Sequence, residues 1–202
     1  ASRGLGDVYK RQIMASGLSR RFGANKLLAD FCGQPMLCRA FAATATPGIS
    51  ARIVVTRSEE VQALCRAHGV PVLLHSLPGR NDTVWLGLSA LLEQLPELSG
   101  CMFLPGDQPL LRRESVGSLV DFYREHPEHI AALGHNGVRG NPCLFPARLF
   151  PELLALQGDH GGNQVIRRHE EDLLLWEVPA PELTDVDTPQ VLAQLRRDMA
   201  EE

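Results

Sequence analysis

The sequence predicts an α/β protein built on a mainly parallel sheet. Short apolar runs of strand length alternate with longer segments of helical period, as βαβ units require. Polar clusters rich in Gly, Asp and Pro follow several of those runs, at the carboxyl ends of strands where open α/β sheets bind ligands. A length of 202 residues with 44% apolar and 22% charged side chains suits a single soluble domain with a substantial core.

Taken in order, "IMASGLSRRFGANKLL" (13–28) opens with an apolar remnant of a first strand and runs into a glycine-framed basic segment. "RIVVT" (52–56) is a buried strand, and Ser58 caps the helix that follows to about His68. "VPVLLH" (70–75) is the next strand, and "NDTVWLGLSALLEQL" (81–95) is an apolar-striped helix stopped before Pro96. Trp85, spaced with Leu88 and Leu92, is expected in the core. "CMFLPGDQP" (101–109) is a strand running into a turn, with a helix over 113–126 behind it. "IAALGHNGVRGNPCLF" (130–145) reads as two strands with a Gly-rich connection. "ARLFPELLAL" and "GGNQVIRRHEE" are short helices, and "LLLWEVP" (173–179) is a strand. "LTDVDTP" (183–189) approaches another strand, and the chain ends in a helix with Pro189 in its first turn.

No internal repeat or low-complexity linker interrupts this pattern, so residues 13–202 are expected to form one domain. The first twelve residues, "ASRGLGDVYKRQ", fit poorly: Lys10, Arg11 and Gln12 stand where an apolar strand should lead into "MASG". "DVYKRQ" resembles the translation of a transposon-end sequencing adaptor, and residues 1–12 are expected to be non-native or altered. The five cysteines are scattered and form no C-x-x-C, which points to a reducing, cytoplasmic setting. A net charge of −4 and the lack of any long apolar run give no reason to expect a nucleic-acid or membrane partner.

Three clusters could carry chemistry. In the opening stretch, which also holds Ser19, Gly17 and Gly23 would let backbone N–H groups approach a phosphate chain, with Arg21 and Lys26 neutralising it; a solvated basic loop is the alternative. The spacing is neither a Walker A loop nor G-x-G-x-x-G. Asp107 in "GDQP" is a candidate Mg²⁺ ligand or the centre of an Asp turn. Asp185 and Asp187 in "DVDTP" share one face if extended, while Thr188 or Asp187 can cap the last helix.

Together these blocks resemble the MobA-like nucleotidyltransferases. "MASGLSRRFGANKLL" resembles their L-A-A-G-x-S-x-R-x-G…K signature, "GDQP" their G-D-x-P loop, and "GRNDTVWLG" (79–87) their nucleotide-side turn. "RGNPCLFP", "GDHGGNQVI" and "DVDTP" resemble blocks of the molybdenum cofactor cytidylyltransferase branch. The resemblance implies a Rossmann-like, three-layer nucleotide-diphospho-sugar transferase fold. It also implies transfer of CMP from CTP, or a nucleotidyl group from another NTP, to the phosphate of a molybdopterin-type acceptor. Mg²⁺ would be the cofactor, and a molybdenum hydroxylase a possible recipient.

Carried over by motif, Ala15, Ser16 and Gly17 would line the nucleotide, with Ser19 a phosphate-loop hydroxyl. Arg21 and Lys26 would hold the phosphates, Asp107 and Asp187 the metal, and Gly79 and Thr83 would lie near base and ribose. Gly140, Asn141 and Pro142, with Gly158, Asp159 and Gly161, would shape the acceptor side. Ser16 stands where cytidine enzymes of the family carry Ala and guanosine enzymes Gly; a side chain there disfavours the larger purine. Two other readings stay open: a nucleotidyltransferase for a sugar or polyol phosphate, and a non-catalytic cofactor carrier.

Overall fold

The computed structural model describes residues 25–201. The expectations for residues 1–12 and for Ala15, Ser16, Gly17, Ser19 and Arg21 therefore lie outside the described residues. After a 3-10 turn, Lys26–Leu28, the described chain forms a small antiparallel hairpin, β1 (Asp30–Phe31) and β2 (Gln34–Pro35), and helix α1 (Leu37–Ala43). Next come β3 (Val54–Thr56), α2 (Glu59–Ala67) and β4 (Val72–Leu74), a βαβ unit whose two strands pair in parallel. Ser58 caps α2 as expected, its hydroxyl accepting from Val61 N at 3.2 Å.

Helix α3 (Arg80–Gln94) leads to β5 (Gly100–Phe103) and α4 (Arg113–Glu125). The 130–145 stretch forms the hairpin β6 (Ile130–His135) and β7 (Val138–Pro146). Its two-residue turn, Asn136 and Gly137, has both φ angles positive, at 50° and 76°, the geometry that matches the twist of paired strands. Helices α5 (Phe150–Leu154) and α6 (Gly162–Arg168), strand β8 (Leu173–Glu177) and helix α7 (Pro189–Glu201) complete the order.

The larger sheet has the order β5-β7-β6-β8. β7 runs antiparallel to both β5 and β6, whereas β6 and β8 are parallel. Three of its strands thus share one direction and β7 alone opposes them, so the sheet is mixed with a parallel majority. Side-chain alternation along the strands builds two cores. Met102, Ala131, Leu133 and Leu144 join residues of α1, α2 and α4 in one cluster. Cys101, Ile130, Ala132, Cys143 and Phe145 join residues of α3, α5 and α6 in another. Helices therefore cover both faces, giving the expected three layers, with Cys65 and Cys101 fully buried.

Two expectations fail. Trp85 is 49% exposed: the buried stripe of α3 runs through Val84, Gly87, Leu88 and Leu91, and Trp85 falls about 100° away from Val84 on the helix. The 183–189 stretch is not a strand; a 3-10 turn, Ala180–Leu183, leads instead into an irregular crossing segment. Its Val186 N–H pairs with the carbonyl of Asp107 at 2.9 Å, outside any sheet.

Candidate active site

Lys26 sits in a single 3-10 turn, Lys26–Leu28, whose entry is fixed by Asn25: its side-chain oxygen accepts from Leu27 N at 3.1 Å. The lysine is only 7% exposed, and a buried ammonium requires counter-charge. Asp107 supplies it, with Lys26 Nζ donating to Oδ2 at 2.6 Å. Asp187 Oδ1 lies 3.5 Å from the same nitrogen. Asp107 is presented by the loop beyond the carboxyl end of β5, and Asp187 by the segment leading into α7. The bond from Val186 N to Asp107 O ties those two loops together.

Asp185 is the third carboxylate of this cluster. Although the residue as a whole is exposed, its carboxyl is desolvated by the surrounding chain and repelled by Asp107 and Asp187. Its pKa is pushed up to about 6, against opposing contributions from a Gln108 hydrogen bond and the Lys26 charge. Gln108 is itself buried, and its Nε2 donates to Leu183 O at 3.4 Å. Among the described residues, Asp107 Oδ1 is buried with no hydrogen-bond partner.

Hard carboxylate oxygens from two loops, one atom of which is unpartnered, suit a divalent cation such as Mg²⁺ or Mn²⁺. These ions need only one or two protein carboxylates when substrate phosphates and water complete the shell. A second acidic group, His169, Glu171 and Asp172, brings ligand atoms within 4.8 Å of one another. Its imidazole is already engaged, with Nε2 at 2.7 Å from Glu152 Oε1.

Of the remaining expected residues, Gly140, Asn141, Asp159 and Gly161 border two cavities, while Gly79, Thr83, Pro142 and Gly158 line neither. One of about 370 Å³ is lined by Asn141, Asp159 and Gly161 together with Arg80, Asn163 and Arg167. The other, about 510 Å³, is lined by Gly140 and Asn141 together with Gln108, Arg139, Asn163 and Asp185. Asn141 and Asn163 border both. Asn141–Pro142 is a cis peptide. Gly140 packs so tightly that a Cβ there would lie 2.9 Å from Leu183 Cδ1. Gly79 is the N-cap of α3, and a Cβ on it would stand 2.8 Å from Gly158 O. The expected nucleotide-side and acceptor-side blocks are thus in direct backbone contact. Thr83 is 5% exposed, turned into the protein from the first turns of α3.

Sequence reasoning assigned no site role to Gln108, Arg80, Arg139 or Asn163, and none beyond a shared face to Asp185. Gln108 and Arg139 stand inside or beside blocks already singled out, so adjacency was the available signal. Arg139 bridges β7 to α6, its Nη2 donating to Asn163 Oδ1 at 3.0 Å. Only the folded chain shows that link.

Comparison with known proteins bears on the family and the fold. The profile of a MobA-like NTP transferase domain matches residues 12–173. The purine catabolism protein PucB of Bacillus subtilis (strain 168) is 25% identical over 201 residues, covering 93% of this chain and 96% of PucB. The 3-deoxy-manno-octulosonate cytidylyltransferase of Neisseria gonorrhoeae (strain NCCP11945) is 32% identical over 111 residues, 54% of this chain. The match spans less than half, 44%, of that relative's length. Among solved structures, Rv0371c from Mycobacterium tuberculosis H37Rv superposes with a TM-score of 0.81 at 21% identity, covering 94% of this chain and 98% of its own. The same mycobacterial protein has also been solved in complex with manganese, at a TM-score of 0.72, 20% identity and coverage of 94% and 98%.

Proposed function

Since the chain belongs to the MobA-like NTP transferase family, we propose that it transfers CMP from CTP to the phosphate of a molybdopterin-type acceptor, releasing pyrophosphate. The observation that carries this reading is the convergence of Lys26, Asp107 and Asp187 beyond the carboxyl end of β5. The cytidylyltransferase name of the Neisseria relative supports CTP as donor, as does the expectation for Ser16.

An acceptor phosphate oxygen is already anionic, so attack on the α-phosphorus needs no strong general base. The bond from that phosphorus to the bridging oxygen breaks, and pyrophosphate carries the electron pair away. The protein's task is alignment and charge neutralisation. Lys26 and Arg21 are assigned to the triphosphate. Asp107 and Asp187 would hold Mg²⁺ or Mn²⁺, which supplies Lewis-acid charge stabilisation at the phosphates. Gly79 and Thr83 fall to the nucleoside side. The cavity bordered by Asn141, Asp159 and Gly161 falls to the acceptor, from which a molybdenum hydroxylase would receive the product.

A second reading is transfer to another anionic acceptor such as a sugar phosphate, since Arg80 and Arg167, which line that same cavity, suit any phosphate-bearing acceptor. Pyrophosphate release with CTP, GTP and ATP, each with molybdopterin, with a sugar phosphate and with neither, separates the readings. Turnover requiring CTP and molybdopterin is the expected result. Turnover only with a sugar phosphate supports the second reading, and acceptor binding without turnover indicates a carrier. Asp107→Ala should abolish turnover; undiminished activity removes Asp107 from the metal site.

A further inference from the structure

Val186 stands between two carboxylates of the site yet belongs to neither large core. Its side chain is fully buried in a separate, smaller cluster with Phe31, Met36, Leu192 and Leu195. Phe31 lies on β1 and Met36 just beyond β2, in the segment that follows Lys26 directly. Leu192 and Leu195 lie on α7. The backbone N–H of the same residue donates to Asp107 O at 2.9 Å. One residue therefore ties the segment that carries Asp187 to the loop that carries Asp107, and packs in the same cluster as the hairpin that follows Lys26.

Two further bonds hold this cluster closed. Arg196 of α7 donates from Nε to Asp30 O at 2.9 Å, and Val191 N donates to Thr188 Oγ1 at 3.3 Å. The cluster lies largely in the chain beyond residue 173, where the family profile match ends. Asp187 itself is well exposed, with 63% of its side chain accessible and one long contact, 3.5 Å to Lys26 Nζ, so that contact alone holds it only loosely. Its placement therefore depends mainly on the backbone that carries it, of which Val186 is the buried residue.

We infer that Val186 is a positioning residue: docked between the β1–β2 hairpin and α7, it sets the separation of Asp187 from Asp107 and so assembles the divalent-cation site. The inference rests on the metal reading of those two carboxylates. Groups that orient metal ligands from behind typically change affinity by about 10–100-fold when removed. Trimming Val186 leaves a void beside the crossing segment and lets it shift, whereas the void from trimming a valine elsewhere in the core lies away from that segment.

The test is Mn²⁺ titration of the purified protein, followed by the electron paramagnetic resonance signal of free Mn²⁺, beside thermal melts. Val186→Ala should raise the Mn²⁺ Kd by about tenfold or more, and Val186→Ile should restore most of that loss. Leu195→Ala, which loosens the cluster from its outer edge, should shift Kd in the same direction. Val116→Ala, in the main core on α4, should lower Tm without moving Kd. An unchanged Kd in Val186→Ala overturns the inference, as does an equal shift in Val116→Ala. Absence of Mn²⁺ binding by the unaltered protein overturns the metal reading and this inference together.

Discussion

The Lys26–Asp107 and Arg80–Asp159 pairs have the same charge chemistry in opposite surroundings. The first is 2.6 Å long, with side chains 8% and 14% exposed. The second is 3.5 Å long, with side chains 70% and 77% exposed. Water screens the second and leaves it worth little. The first has lost its water, so its partners depend on each other, and removal of either leaves an uncompensated charge. Burial, rather than charge count, separates the centre of the site from its margin.

Exchanging Lys26 for Met should break this contrast most severely. The rate of pyrophosphate release should fall by about 10²–10³, corresponding to about 2.7–4 kcal/mol of lost transition-state stabilisation, as for other single electrostatic donors. Measuring kcat and KM separately under saturating metal checks it: a change confined to KM would confine Lys26 to ground-state binding. Thr188→Ala should act at an intermediate level. Its hydroxyl accepts from Val191 N, and loss of such a cap costs about 1 kcal/mol, read as a lowered denaturation midpoint. Because α7 backs Asp187, a weaker Mn²⁺ affinity should accompany it.

Arg80→Ala should have the smallest effect on stability, below about 0.5 kcal/mol, as expected for an exposed pair. Acceptor KM is the sharper readout there, because Arg80 lines the cavity assigned to the acceptor. A large loss of stability with no change in that KM would reverse the roles given to the two pairs.

The sequence by itself determined whatever depends on neighbours within a few positions. Strand and helix identities follow from apolar spacing, as in β3, α2 and α4. Ser58 and Thr188 announce their caps because the accepting oxygen and the donating N–H are three residues apart. The GDQP and DVDTP blocks stood out through their joint occurrence with the opening stretch, since each alone also suits an Asp turn or a helix cap. Local periodicity also misled: Trp85 shares a helical register with Leu88, yet the width of the apolar stripe, set by the sheet it covers, decides what is buried.

Only the tertiary structure decided which distant residues meet. Lys26 and Asp107 are 81 positions apart, and Lys26 and Asp187 are 161 apart, so no local pattern encodes their contact. The reversed direction of β7 and the contact of Gly79 with Gly158 are likewise set by sheet order. Val186 is the clearest case. In the sequence it is an apolar spacer between two acids; in the fold, burial among three chain segments makes it the point from which the acids are held. Desolvation and long-range packing are properties of the assembled chain, and they turn scattered charges into one site.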